Sequence, residues 1–182
     1  REELGVRRQR EELLKVLVAG EGRGVDGEDV DVGALVDTLC ASGAPYRPAL
    51  MGGGRWVVRY SRGPLLWRAA SAPGKLLGAG AGRSGQEFLI KESRVINTGA
   101  VMGDAVQLSA EGSFVEDSPG ALSTPKAFTV SIEGGAVSLP GLEWVLPLPI
   151  QGTGKFEVAY NDDSIRVFRS TGGSLTVQVR EA

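Results

Sequence analysis

The side chains that most often perform chemistry in proteins are scarce in this chain of 182 residues. It contains no histidine and a single cysteine, Cys40. Lack of histidine excludes Ser-His-Asp and Cys-His catalysis and removes the usual proton carrier near neutral pH. One cysteine excludes an internal disulfide and a multi-cysteine zinc site, and Cys40 is expected to pack as a small apolar residue. We therefore expect a protein that is not an enzyme and holds no metal.

The acidic residues also lack a catalytic pattern. Asp162 and Asp163 are adjacent, but they lie in a predicted turn, where aspartates cap their own backbone. The other acids near turns lack the spacing of a metal-binding loop. These scattered acids are Asp104, Glu111, Glu116 and Asp117. We predict that the aspartate pair caps a turn.

A glycine-rich run at residues 80–85 matches the G-x-G-x-x-G pattern of nucleotide-binding loops. In a dinucleotide site this loop opens a helix, whereas residues 86–90 have the alternation of a strand. The chain also lacks the other signatures of a protein kinase, and residues 51–54 lack the Lys-Ser/Thr of a P-loop. We predict a surface loop at residues 72–85 and no nucleotide cofactor.

Composition and charge indicate a globular protein that does not bind nucleic acid. Hydrophobic residues make up 42% and charged residues 23%, and the net charge is −2. Phosphate backbones require a concentrated basic surface, which this chain lacks. No apolar run is long enough for a membrane-spanning helix. No targeting segment is visible, and the start at Arg1 is consistent with a removed targeting peptide.

The first 48 residues are predicted to be a helical segment that packs on the rest of the protein. Residues 2–19 lack proline, and their apolar stripe sharpens after Glu12, so this helix should pack firmly only through its C-terminal half. A second helix is predicted over residues 26–41, capped by Asp29 or Asp31.

Residues 49–182 have the pattern of short antiparallel strands. The clearest segment is 158–179, where Asn161-Asp162-Asp163 and Gly172-Gly173 form turns between three alternating strands. The predicted strands do not alternate with helices, so no βαβ unit is expected. We predict a mainly β fold, an antiparallel barrel preceded by two helices. The predicted strands are residues 55–60, 86–91, 94–97, 105–110, 113–116, 127–133, 136–139, 155–160, 165–169 and 175–180.

Four segments, in this order, resemble the plastid lipid-associated protein family, also called plastid fibrillins, whose domain is a lipocalin-like barrel. Ser170 and Asn161 depart from the family pattern, which usually has glycine and leucine there. The similar segments are the leucine-rich helix at 12–17 followed by Arg23-Gly24, the Gly-x-Trp-x-x-x-Tyr strand at 54–60, the strands at 85–90 and 94–97, and the closing strands at 160–169 and 172–175.

The resemblance implies a fold, a place and a role. In lipocalin-like barrels the first-strand tryptophan plugs the closed end and an arginine from the last strands stacks on it, a contact of about 0.5–2 kcal/mol. Here Gly54 and Trp56, with Arg166 or Arg169, would close the barrel. The resemblance also implies a peripheral chloroplast protein of thylakoids or plastoglobules, involved in lipid or prenylquinone storage, transport or photoprotection.

The strand alternation suggests which side chains line the barrel. They are apolar or aromatic, so an enclosed guest should be apolar, such as a prenylquinone, a carotenoid or an acyl lipid. A fully packed core without a guest remains an alternative. The predicted inward residues are Trp56, Val58, Tyr60, Phe88, Ile90, Val130, Ile132, Phe156, Val158, Tyr160 and Val167.

A second apolar feature is the proline-containing segment 139–150. It either packs across the barrel mouth or forms an exposed contact with a membrane or a protein partner. In the exposed form, the protein would be a scaffold subunit on a lipid body or a thylakoid membrane-protein complex. The predicted contact residues are Leu142, Trp144, Val145, Leu146 and Leu148.

Overall fold

The computed structural model describes residues 2–19, 31–62, 84–101, 105–142 and 144–181. Within these ranges, helices precede strands along the chain. The helices are α1 (Glu2–Ala19), α2 (Val32–Ala41) and α3 (Pro48–Met51). The strands are β1 (Trp56–Arg62), β2 (Ser84–Leu89), β3 (Arg94–Val101), β4 (Val106–Glu116), β5 (Lys126–Leu139), β6 (Trp144–Leu148), β7 (Gly152–Asn161), β8 (Ile165–Ser170) and β9 (Leu175–Arg180).

The described strands form one antiparallel sheet that closes on itself. The strand order is β4-β3-β2-β1-β9-β8-β7-β5-β6, and a further pairing joins β4 to β5. Eight strands therefore make a closed barrel, and β6 lies outside the ring. Strand β5 pairs with β7 through residues 126–132 and with β6 through residues 135–139. The predicted mainly β, lipocalin-like barrel preceded by N-terminal helices is confirmed.

Two pairs of predicted strands are single long strands. Each pair was divided at a β-bulge. There the register between β4 and β5 shifts, between Glu111 and Gly112, but the two strands remain paired on both sides of the shift. A Cβ atom on Gly112 would lie 1.9 Å from the Ser131 carbonyl oxygen, so only glycine fits this close approach. The merged pairs are 105–110 with 113–116, which form β4, and 127–133 with 136–139, which form β5.

The two longer helices follow their sequence patterns. In α1, Leu13 and Leu17 are buried, so the expected packing through the C-terminal half is confirmed. The described part of the second helix begins at Val32, where the Asp31 carboxylate accepts a 3.0 Å hydrogen bond from the Ala34 N–H. Residues 26–30 of the predicted helix lie outside the described residues, and the domain division at residue 48 stays a prediction.

Two separate cores hold the described residues together. The first lies between the helices and the outer face of the last strands, and includes Leu13, Val36, Ile165 and Val177. The second fills one end of the barrel with aromatic rings. Its buried members are Tyr46, Met51, Phe88, Val95, Phe114, Phe128, Val158 and Phe168. The barrel wall is therefore apolar on both faces where the helices cover it.

Two other sequence features can be placed in part. Residues 72–83 of the predicted surface loop lie outside the described residues, including most of the glycine-rich run, whereas Ser84 and Gly85 begin β2. Among the helices that the structure describes, none combines the length and the hydropathy needed to cross a membrane.

Candidate functional site

The closed end of the barrel is built around Trp56, the first residue of β1. Its side chain is fully buried, and its indole N–H donates to the Gly52 carbonyl at 3.3 Å. The guanidinium carbons of Arg166 and Arg180 lie 4.5 Å and 4.7 Å from the ring centre. Two arginines therefore contact one buried indole ring, and Arg166 is as fully buried as the ring itself.

Arg166 connects four elements at this end. Its Nε donates to Gln178 at 2.6 Å, its Nη1 to the Met51 carbonyl at 2.5 Å, and its Nη2 to the Gln86 carbonyl at 2.9 Å. Burial lowers the pKa of Arg166, and the nearby positive charge of Arg180 lowers it further. Neutral carbonyl oxygens and aromatic rings thus replace the carboxylate that usually accompanies a buried arginine.

The prediction that Trp56 and an arginine close the barrel is confirmed for Arg166 and wrong for Arg169. Arg166 and Phe168 point inward along β8, so Arg169 lies on the opposite face of the same strand. Gly54 precedes β1 with a φ of +108°, which an L side chain rarely adopts, so its part in closing the barrel is to direct the chain into β1.

A cavity of about 730 Å³ occupies the barrel beyond the aromatic cluster. Trp56, Phe88 and Arg166 lie beneath it rather than along it, because they fill the closed end. A cavity of this size falls within the range that encloses small-molecule ligands.

The cavity wall has two chemically different sides. The apolar side comes from β5, β7 and β8, and the amide side comes from β2, β3 and β9. Hydroxyl groups from several strands also line the cavity, and apolar side chains continue toward the β5–β6 hairpin. The apolar side consists of Val130, Ile132, Phe156 and Phe168, the amide side of Gln86, Asn97 and Gln178 with Val58 of β1 among them, the hydroxyls of Ser84, Thr98, Ser109, Thr153, Ser170, Ser174 and Thr176, and the hairpin end of Leu108, Leu148, Ile150 and Gln151.

Eight of the eleven predicted inward residues belong to the barrel interior. Half of them line the cavity and the others fill the packed end. Those that line the cavity are Val58, Val130, Ile132 and Phe156, and those at the packed end are Trp56, Phe88, Ile90 and Val158. Whether the cavity residues bind a ligand stays a prediction.

The inward orientation predicted for Tyr60, Tyr160 and Val167 is wrong, because all three pack in the core beneath the helices. Register shifts between Val58 and Tyr60, and between Val158 and Tyr160, insert an extra residue into β1 and β7. The extra residue reverses the alternation, so the second member of each pair faces outward. No bulge precedes Val167 in β8. For this strand the sequence interpretation assigned the inward face to Val167, whereas the structure assigns it to Phe168.

The sequence interpretation missed Phe168 and the amides of Gln86, Asn97 and Gln178 in the cavity wall. Phe168 alternates with Val167, so the pattern contained it but did not indicate which of the two apolar residues faces inward. Gln86 and Gln178 each lie two residues from an inward side chain, Phe88 and Arg180 respectively. A polar residue at an inward-facing position of a strand was the sequence signal that could have identified these amides as part of the cavity wall.

The segment predicted as a membrane or partner contact forms a hairpin with β5 instead of a loop. Strand β6 is an edge strand, a position that tolerates its Pro147. Five large apolar side chains of this segment are exposed, with exposed fractions of 73% for Leu142, 46% for Trp144, 64% for Val145, 46% for Leu146 and 42% for Ile150. Leu148 is half-buried and lines the cavity. We call residues 139–150 the apolar hairpin.

Asp162 caps the β7–β8 turn, as predicted. One of its oxygens accepts from the N–H groups of Ser164 and Ile165, both at 2.7 Å, and the other pairs with Arg10 of α1. Burial alone would raise the pKa of Asp162, but these hydrogen bonds outweigh burial and hold the pKa below its usual value. Asp163 also pairs with Arg10, at 2.6 Å. The acid pair therefore joins helix to barrel.

Cys40 is half-buried against the helix–barrel core, and burial raises the pKa of its thiol to about 11. In the part of the chain that the structure describes, no three histidine, cysteine or acidic residues are grouped closely enough to hold a metal ion.

No family model matches the chain, and the search of curated proteins found no match.

Proposed function

We propose that this protein binds a small apolar molecule inside its barrel and does not catalyse a reaction on it. The observation that carries the proposal is the cavity of about 730 Å³ whose one side is formed by Val130, Ile132, Phe156 and Phe168. Replacing the water at such an apolar wall by a hydrocarbon surface makes binding favourable, because it lowers the free energy of the complex. The lack of histidine and the turn-capping use of Asp162 support binding without catalysis.

The proposed guest is a prenylquinone, a carotenoid or an acyl lipid, and the proposed place is the thylakoid or plastoglobule surface of a chloroplast. Both rest on the resemblance to plastid fibrillins. The stacking of Arg166 on Trp56 supports that resemblance at the level of the fold, since this is the contact expected of a lipocalin-like barrel. No other cofactor is proposed.

The first experiment asks whether the cavity takes an apolar guest. Diphenylhexatriene, a hydrocarbon that fluoresces in apolar surroundings, is titrated into the protein after delipidation. We expect saturable binding near one probe per chain, and organic extraction of the untreated protein should yield a lipid in similar proportion. Absence of saturable probe binding would refute the proposal.

A pair of glycine variants tests whether the probe binds inside the cavity. Gly99 lines the cavity, and a Cβ atom added there meets nothing within 4 Å, so Gly99→Leu should fill part of the space without a clash. Gly134 is also a strand glycine with open space at its Cβ, but it does not line the cavity. We expect Gly99→Leu to weaken probe binding about tenfold or more and Gly134→Leu to leave it unchanged.

A second candidate function, favoured by the apolar hairpin, is docking on a lipid body or a thylakoid membrane-protein complex without a ligand. Exposed tryptophan and aliphatic side chains on an edge hairpin suit contact with a membrane interface. Vesicle flotation tests this function with a closely matched pair, because Val145 and Val115 are 64% and 66% exposed but only Val145 belongs to the hairpin. Docking through the hairpin predicts that Val145→Ser reduces flotation and that Val115→Ser does not.

A further inference from the structure

The amide side of the cavity wall is a directed chain of hydrogen bonds that begins at Arg166. Arg166 Nε donates to Gln178 Oε1 at 2.6 Å, Gln178 Nε2 donates to Gln86 Oε1 at 3.2 Å, and Gln86 Nε2 donates to Asn97 Oδ1 at 2.7 Å. The chain crosses β8, β9, β2 and β3 in turn, so it extends along the inner wall. We call these three amides, Gln178, Gln86 and Asn97, the amide relay.

The guanidinium group sets the direction of the amide relay. Arginine can only donate hydrogen bonds, so the carbonyl oxygen of Gln178 must point toward Arg166 and its NH₂ group away from it. The same requirement passes to Gln86, whose oxygen also lies 3.4 Å from Arg166 Nη2. Each amide in the relay therefore accepts from the arginine side and donates toward Asn97.

This direction leaves hydrogen-bond donors facing the cavity. An amide nitrogen carries two hydrogens, and the relay uses one of those on Gln178 and one of those on Gln86. Among the described residues, neither hydrogen of Asn97 Nδ2 has a partner, while the Asn97 oxygen is already occupied by Gln86. The free hydrogen-bonding capacity of the relay is therefore made up mostly of donors.

The charges near the cavity favour the same class of ligand. Among the described lining residues Lys155 alone is charged, and its ammonium pairs with Asp117, outside the lining, at 3.4 Å. No aspartate or glutamate belongs to that lining. Arg166 and Arg180 lie behind the floor. A cationic group would therefore meet the positive charges behind the floor, and the described lining offers it no carboxylate to balance its charge.

We propose that the guest of the barrel carries a carbonyl or carboxylate oxygen, which the amide relay binds through Gln86 and Asn97, while its apolar body lies against Phe156 and Phe168. This inference deepens the proposed function and rests on it. It assigns the cavity to amphiphiles with a hydrogen-bond-accepting head, and it excludes amines and other cations of the same length.

A ligand series of constant chain length tests the preference. Undecanoic acid, 2-undecanone and undecylamine are each used to displace diphenylhexatriene at pH 8. We expect the acid and the ketone to displace the probe at concentrations about tenfold lower than the amine, since the amine leaves the donors of the relay unpaired. The ketone separates hydrogen bonding from charge, because a preference for the acid alone would indicate a purely electrostatic site.

A substitution that introduces a negative charge provides the sharper test. Asn97→Asp is nearly isosteric and keeps an oxygen for Gln86 Nε2, but it replaces the free NH₂ group by an acceptor. We expect it to invert the order, so that undecylamine displaces the probe better than 2-undecanone. Gln107→Glu is the control, because it makes the same change of charge on an exposed β4 residue outside the cavity lining. Asn97→Leu, which removes the polar end of the relay, should reduce the preference for the ketone over the amine without inverting it.

The outcomes separate this inference from the proposed function. If the probe binds but acid, ketone and amine displace it equally from the unmodified protein, the assignment of the head group is wrong and apolar binding stands. Inversion by Gln107→Glu as well as by Asn97→Asp would also overturn the assignment. If the probe does not bind at all, the proposed function itself fails.

Discussion

The guanidinium carbon of Arg166 lies 4.5 Å from the centre of the Trp56 ring, although neither side chain is exposed to solvent. The contact joins the first strand of the barrel to the last hairpin. Arg166 also donates hydrogen bonds to the carbonyls of Met51 in α3 and Gln86 in β2. One side chain therefore joins a helix, a barrel strand and the buried tryptophan at the closed end.

The planarity of Arg166 should be necessary for stability. Arg166→Lys retains a charge but cannot donate to Gln178, Met51 and Gln86 at once, and it leaves buried carbonyls unpaired. We expect the free energy of unfolding in urea to fall by about 2–4 kcal/mol. Arg169→Lys, on the outer face of the same strand, should change it by less than about 0.5 kcal/mol. Similar losses in both variants would contradict the role given to Arg166.

The bulge in β4 should not tolerate a side chain. A Cβ atom at Gly112 would lie 1.9 Å from the Ser131 carbonyl oxygen, which belongs to the backbone and cannot rotate away. We expect Gly112→Ala to lower the free energy of unfolding by about 3 kcal/mol or more. Gly134→Ala, where the added atom meets open space, is the control and should be nearly neutral. A stable Gly112→Ala protein would show that the β4–β5 register differs from the one described.

The two faces of β8 should separate stability from binding. Val167 packs beneath the helices, so Val167→Ala should cost about 2 kcal/mol of stability and leave the affinity for diphenylhexatriene within about twofold. Phe168 lines the cavity, so Phe168→Ala should change probe affinity at temperatures where the protein remains folded. The measurement is probe titration beside thermal unfolding. A loss of affinity in Val167→Ala alone would reverse the assignment of the faces.

The pairing of Asp162 with Arg10 should appear in the acid dependence of stability. The pKa of Asp162 is lowered in the folded state, so its contribution is complete above the ordinary aspartate pKa of about 3.9 and is lost as pH falls through the lower folded value. Urea unfolding between pH 7 and pH 2 should therefore show a smaller acid-induced loss in Asp162→Asn than in the unmodified protein. Asp163→Asn serves as the comparison, and identical pH profiles for Asp162→Asn and the unmodified protein would contradict the prediction.

Local patterns predicted the parts of this protein that depend on neighbours in sequence. The turn at Asp162 and the cap at Asp31 follow from aspartate side chains that bind their own backbone. The contact of Trp56 with Arg166 or Arg169 was predicted from a family resemblance rather than from local chemistry, and the structure selected Arg166. The exposure of Trp144 and Val145 agrees with a proline-containing segment that cannot occupy a central strand.

What the sequence by itself determined was the strand-rich fold, its turns and its lack of histidine. Only the tertiary structure decided which residues meet in the cavity. The alternation of a strand predicts its face only until an extra residue enters, and the bulges after Val58 and Val158 are set by pairing with distant strands. The amide relay likewise joins residues 86, 97 and 178, which are neighbours only because the sheet closes into a barrel.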